Sequence, residues 1–168
     1  LQQQDIDGIF DKDILSITFY KGGMSVLADA YLINGILSQE EEQFAYFYGI
    51  ILQLADDFQD IQDDLREEHY TMINIQGVFS DLDPILDKFM SFIEYFLNNH
   101  YAQVTQEQIA LKELSVESIQ LLVFEAILKN KRYLSKEAYK KICKANHFSR
   151  KVYSRTEHDF NKQLEKLL

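Results

Sequence analysis

GIILQLADDFQDIQDDL, residues 49–65, decides how this 168-residue chain folds. The uncharged run 43–55 leads directly into five aspartates at positions 56, 57, 60, 63 and 64. On a helix, Gln53, Asp56, Asp57, Asp60 and Asp64 fall on one stripe. Ile51, Leu54, Phe58, Ile61 and Leu65 form the opposite, apolar stripe. A solvated helix end is the ordinary source of an acidic run. Here the run emerges from an uncharged stretch with a glutamine in register, which favours a cavity wall over open solvent. Carboxylates one turn apart repel each other unless a cation neutralises them. Magnesium suits such a place, because it prefers oxygen ligands and shares its shell with water and substrate phosphates.

Outward from this stretch the pattern is helical throughout. A first helix is expected over 11–34, ended by Gly35. Ser38 followed by Glu41 is a capping box for a long helix over 39–67. A loop is expected at 68–79, after which Ser80 caps a helix running through Leu97 with Pro84 in its first turn. Thr105 and Ser115 are expected to start shorter helices, Ser135 another, and 149–168 forms a last amphipathic one. No segment alternates as a strand does, and no repeat or linker divides the chain. The expectation is a single all-α domain over 1–168, an antiparallel helical bundle. Gly22 and Gly23 lie inside the first helix, where each costs about 1 kcal/mol relative to alanine. Close approach of a ligand or of a neighbouring helix would explain them.

The net charge of −10 is unevenly distributed. Residues 1–98 carry 4 basic and 19 acidic side chains, and 99–168 carry 13 and 8, together the 17 and 27 of the whole chain. The acidic half opposes nonspecific nucleic-acid binding and attracts cations. The lysines of the second half are interleaved with leucines, as on a solvated helix face. No apolar run of about 18 residues occurs, so no membrane span is expected. Cys143, the single cysteine, reads as a small buried hydrophobe, and a chain without an internal disulfide fits a reducing cytoplasm.

Q-x-x-D-D-x-x-D, here Gln53, Asp56, Asp57 and Asp60, resembles the second aspartate-rich motif of the trans-isoprenyl (polyprenyl) diphosphate synthases, the class I isoprenoid synthase family. Gly49 stands four residues before the glutamine, as in that family, while Leu52 replaces the usual phenylalanine. Upstream, FYKGGMSVLADAYL holds Lys21, Gly22 and Gly23 where the family has lysine, threonine and a small residue. The likeness extends from about Ile14 to Ile75. No lysine lies between Arg66 and Asp87, where the family places one in a closing loop, so Arg66 or His69 would substitute.

The resemblance implies the isoprenoid synthase type of bundle, with this chain as its C-terminal half. It implies Mg2+ held by Asp56, Asp57 and Asp60, diphosphate bound by Lys21, Arg66 and His69, and Lys21 and Gln53 taking part in the chemistry. The implied substrates are an allylic prenyl diphosphate, which ionises, and isopentenyl diphosphate, which accepts the prenyl group. A terpene cyclase or a head-to-head prenyl synthase is the alternative within the fold. A noncatalytic helical subunit supporting a partner synthase is the alternative of another class. Tyr20, Met24, Tyr46 and Tyr48 are candidate walls for a prenyl tail. The first aspartate-rich motif has no counterpart before Asp56. A missing N-terminal half or a partner chain in a homo- or hetero-oligomer is therefore expected to cover Phe44, Tyr48 and Ile51, and the chain alone is expected to be inactive.

Overall fold

The computed structural model describes residues 13–99 and 106–145, and within them every regular element is a helix. The order is α1 (Ile14–Asn34), α2 (Gln39–Gln59), α3 (Ile61–Arg66), α4 (Met72–Phe79), α5 (Asp83–Asn99), α6 (Gln106–Lys129) and α7 (Lys136–Ala145), with a 3-10 turn at Lys131–Tyr133. The all-α expectation holds. The helix expected over 149–168, the start expected at Thr105 and the basic Arg150, Lys151 and Arg155 lie outside the described residues.

The ends of α1 and α2 follow the local chemistry. Asp13 accepts the Ser16 N–H at 3.0 Å and opens α1. Gly35, at φ 73°, closes it by donating its N–H to the Tyr31 carbonyl at 2.8 Å. Ser38 and Glu41 form the expected reciprocal box: the Glu41 N–H donates to Ser38 Oγ at 3.2 Å and the Ser38 N–H to Glu41 Oε2 at 2.8 Å. With so short a connection α2 returns antiparallel to α1. Gly22 meets Gln53 and Gly49, Gly23 meets Tyr46, and Tyr31 bonds to Glu42.

The two helices touch backbone to backbone. A β-carbon added at Gly22 would lie 2.5 Å from Gln53 Cβ and 2.6 Å from the Gly49 carbonyl oxygen. One added at Gly49 would meet the Gly22 peptide in return, and one at Gly23 would press into the Tyr46 ring at 2.5–2.8 Å. Of the two reasons open for the paired glycines, the neighbouring helix is the one found.

The apolar stripe of α2 forms the core with α5 and α6. Ile51, Phe58, Ile61, Phe89, Phe96, Ile119 and Ile127 are all buried. Phe58 stacks on Phe89 with centroids 5.7 Å apart, and Phe44 on Phe96 at 5.3 Å. This corrects the expected bare face. Ile51 has no exposed surface and Phe44 is covered by α5, so that side of α2 is closed within the chain. Exposed apolar side chains include Tyr20, Met24, Tyr31, Leu32, Ile33 and Ile36 on α1 and its end, with others such as Phe79, Tyr95 and Leu114 on later helices.

Four features differ from expectation. The helix expected over 39–67 breaks at Asp60 (φ −100°, ψ 13°) into α2 and α3. The segment 68–79 contains α4, capped by Thr71 and Asn74: Asn74 stands where the usual box has Glu or Gln and bonds the Thr71 N–H at 3.0 Å. Ser80 ends α4 rather than starting α5, and Ser115 lies buried inside the continuous α6. Ser135 does start α7, its hydroxyl accepting the Ala138 N–H at 3.1 Å. Among the described residues no helix is long and apolar enough to cross a membrane.

Candidate functional site

The acidic stripe sits where α2 breaks into α3, opposite Lys21 on α1. Its members are in unequal environments. Asp57 is 5% exposed and accepts Gln53 Nε2 at 2.8 Å. Burial raises its pKa to about 7; the Gln53 bond and the Lys21 charge oppose the rise, while Asp64 and Asp56 add to it. Burial also raises Asp56, with repulsion from Asp60 adding and Lys21 and Lys129 opposing. Asp64 is raised by burial and then by Asp60, against His69 and Lys21. These carboxylates are partly desolvated, repel one another, and feel Lys21 from the neighbouring helix. The Gly22–Gly49 contact is what brings that lysine near: with an ordinary helix spacing of about 8–10 Å, α1 would stand farther off.

Lys129 was invisible to sequence reasoning. From the end of α6 its Nζ reaches Asp60 Oδ1 at 3.0 Å and Asp63 Oδ2 at 3.1 Å. Burial alone would lower the Lys129 pKa, but its hydrogen bonds to the two carboxylates outweigh that and raise it. Asp63 is lowered, first by its bond to Lys129. No spacing rule links residues 60 and 129, and a lysine closing an amphipathic helix reads as solvated.

The adjacent Asn130 explains the break in the helix. It is 3% exposed, and its Nδ2 donates to the carbonyls of Phe58 at 2.6 Å and Gln59 at 3.0 Å. A continuous helix would offer those carbonyls to residues four positions on. Gln59 Nε2 also donates to Glu125 Oε1 at 3.2 Å. The end of α6 thus clamps the turn that orients the stripe. Asn130→Ala leaves one buried and one part-buried carbonyl without this donor, and we expect a loss of about 2 kcal/mol in urea unfolding. Wild-type stability in the variant would refute the clamp.

The remaining expected residues are more peripheral. Arg66 bonds to Asp63 at 3.0 Å, on the Lys129 side, and is well exposed. His69 Nδ1 lies 3.7 Å from Glu67 Oε2, on the side of Asp64. Tyr20 and Met24 are on the exposed side of α1, while Tyr46 packs on Gly23 and Tyr48 stacks on Phe44 at 5.7 Å. A groove of about 790 Å³ between α5, α6 and α7, lined by Met90, Ile93, Leu97, Ile119 and Val123, shares no residue with the stripe.

The donor set fits magnesium in part. Among the described residues no three His, Cys, Asp or Glu side chains converge as a metal-holding group. Magnesium, however, commonly takes one or two carboxylates and completes its shell with water and phosphate oxygens. Mutually repelling Asp56, Asp57 and Asp64 would be relieved by such an ion, whereas Asp60 already has a cation. No family model, curated protein or solved structure matches this chain.

Proposed function

We propose that this chain serves class I isoprenoid chemistry: Mg2+-dependent ionisation of an allylic prenyl diphosphate, followed by prenyl transfer to isopentenyl diphosphate. The observation that carries the reading is the position of Lys21. It lies across the Gly22–Gly49 contact from carboxylates whose pKa values burial raises, with repulsion among neighbouring aspartates adding to the rise. A cation-hungry acidic stripe beside an ammonium is the arrangement that a metal–diphosphate pair would join.

Asp56 and Asp57, with Asp60 one turn on, are the carboxylates assigned to the metal. These residues would hold magnesium, which when bound would supply positive charge to the diphosphate oxygens of the leaving group. Lys21 binds the same leaving group as a flexible point charge. Gln53 holds Asp57 in place through its 2.8 Å bond, which restrains the carboxylate that would hold the ion. Arg66 and His69 are the candidates for the outer diphosphate oxygens. The first aspartate-rich set would come from an N-terminal half or a partner chain.

A second reading, a noncatalytic helical subunit, is favoured by one observation: Lys129 already neutralises Asp60. Calorimetric titration of the chain with inorganic diphosphate, with and without Mg2+, separates the two. We expect binding only with Mg2+, weakened about tenfold or more in Asp56→Asn and in Lys21→Met, a loss of roughly 1.4 kcal/mol or more. Absence of Mg2+-dependent binding, or binding indifferent to both substitutions, would favour the subunit.

A further inference from the structure

We propose that the corner where α4 ends against the turn after α6 docks onto an anionic lipid surface, with Val78 and Phe79 entering the headgroup layer and Lys131, Arg132 and Lys136 meeting the lipid phosphates. The sequence supplies the charge. Between 129 and 144 seven lysines and arginines stand against one acidic residue, Glu137, in a chain whose net charge is −10. Lys129 is taken by Asp60 and Asp63, and Lys141 lies 3.8 Å from Asp87. Lys131, Arg132, Lys136, Lys140 and Lys144 are exposed, and no carboxylate pairs with them among the described residues.

The apolar part comes from the way α4 ends. The helix buries Ile73 and Asn74 near its start and leaves Val78 60% and Phe79 76% exposed at its end. That end is pinned to the basic turn. A β-carbon added at Gly77 would lie 3.2 Å from the Tyr133 ring, and the Leu82 N–H donates to the Tyr133 carbonyl at 2.8 Å. The Ser135 N–H donates to Asp83 Oδ1 at 3.0 Å, which engages that carboxylate and leaves Asp81 exposed in the same turn. The Arg132 guanidinium stands over the Tyr133 ring at 4.7 Å, and Lys131 over the Tyr139 ring at 4.8 Å. Tyr139 and Ile142 pack on the core, so Lys136, Lys140 and Lys144, one turn apart on α7, line its outward side. An interfacial site needs apolar area to bury, aromatic rings at headgroup depth and cations for the phosphates, and this corner gathers all three. An acidic polypeptide or a nucleic acid would use the cations and leave Phe79 without a role. The acidic remainder of the chain opposes the contact little, because charges farther than about 8–10 Å from the surface are largely screened at physiological salt.

The full 168-residue chain has no tryptophan, so Phe79→Trp reports on that position alone. Its emission should move to the blue on vesicles of phosphatidylcholine with about one third phosphatidylserine, and stay unchanged on phosphatidylcholine alone. In cosedimentation with the mixed vesicles, Phe79→Ser should bind about tenfold more weakly than wild type, through the lost apolar burial. Lys131→Gln combined with Arg132→Gln should weaken binding about twentyfold, at roughly fivefold for each cation. All three side chains are exposed, so urea unfolding should be unchanged; Val78→Ser answers the same question if Phe79→Ser does not fold by circular dichroism. Absence of the blue shift, equal binding to the neutral vesicles, or binding indifferent to Phe79→Ser overturns the proposal. An acidic polypeptide as the true partner would show as binding to polyglutamate with none to the vesicles, which likewise overturns it. None of these variants touches the acidic stripe, so the outcome is independent of the magnesium reading.

Discussion

Gly49→Ala is expected to destabilise the chain by about 2–3 kcal/mol and to separate Lys21 from the acidic stripe. An alanine inside a helix is favoured over glycine by about 1 kcal/mol, so a glycine with space around it would gain from the change. Gly49 has none. Its added methyl would meet the Gly22 carbonyl, with Val26 Cβ at 3.0 Å on the other side. Backbone atoms cannot rotate out of the way as a side chain can. The cost therefore lies at or above the top of the usual range of about 1–3 kcal/mol for overpacking, before the propensity gain is subtracted. α1 must shift away from α2, and Lys21 shifts with it. Urea unfolding measures the first effect and the Mg2+-dependent diphosphate titration the second. A variant within about 0.5 kcal/mol of wild type, the usual range for a surface change, would show that the contact yields easily.

Asp57 should make the protein less stable as pH rises, the reverse of a salt-bridged aspartate. Its carboxyl is buried, and the burial raises its pKa from 3.8 to about 7. Below pH 4 the folded and unfolded states both carry the proton, and the full stability is present. Between about pH 4 and pH 7 only the folded state keeps it, so stability falls as pH rises. Above pH 7 the loss is complete. At about 1.36 kcal/mol per pH decade the upper bound is about 4 kcal/mol, lowered by any water that reaches the site. Asp57→Asn retains an oxygen for Gln53 and carries no charge. It should be a few kcal/mol more stable than wild type at pH 8 and equal to it near pH 3.5. Mg2+ at pH 8 should recover stability in wild type but not in the variant. Parallel stability–pH curves for the two proteins would exclude this account.

Much of this architecture could be read from local chemistry. The Ser38–Glu41 box and the positive-φ Gly35 are set by neighbours within four residues, so they survive into the fold unchanged, whereas the stripes of 49–65 are interrupted by the break at Asp60. The Thr71–Asn74 cap was as local but used asparagine in place of the longer glutamate or glutamine that the usual pattern carries, and α4 was missed for that reason. The candidate site divides along the same line. Gln53, Asp56, Asp57 and Asp60 were set on one face by helical spacing, and Lys21 by the short turn that sends α2 back along α1. Only the tertiary structure brought Lys129 and Asn130, some 70 residues along the chain, to the Asp60 turn. It decided that Asp57 is buried and Asp60 paired, and that α5 rather than another chain covers Phe44. Periodicity assigns a residue to a face of its helix. What lies against that face depends on contacts between distant segments, and those follow from how all the helices pack at once.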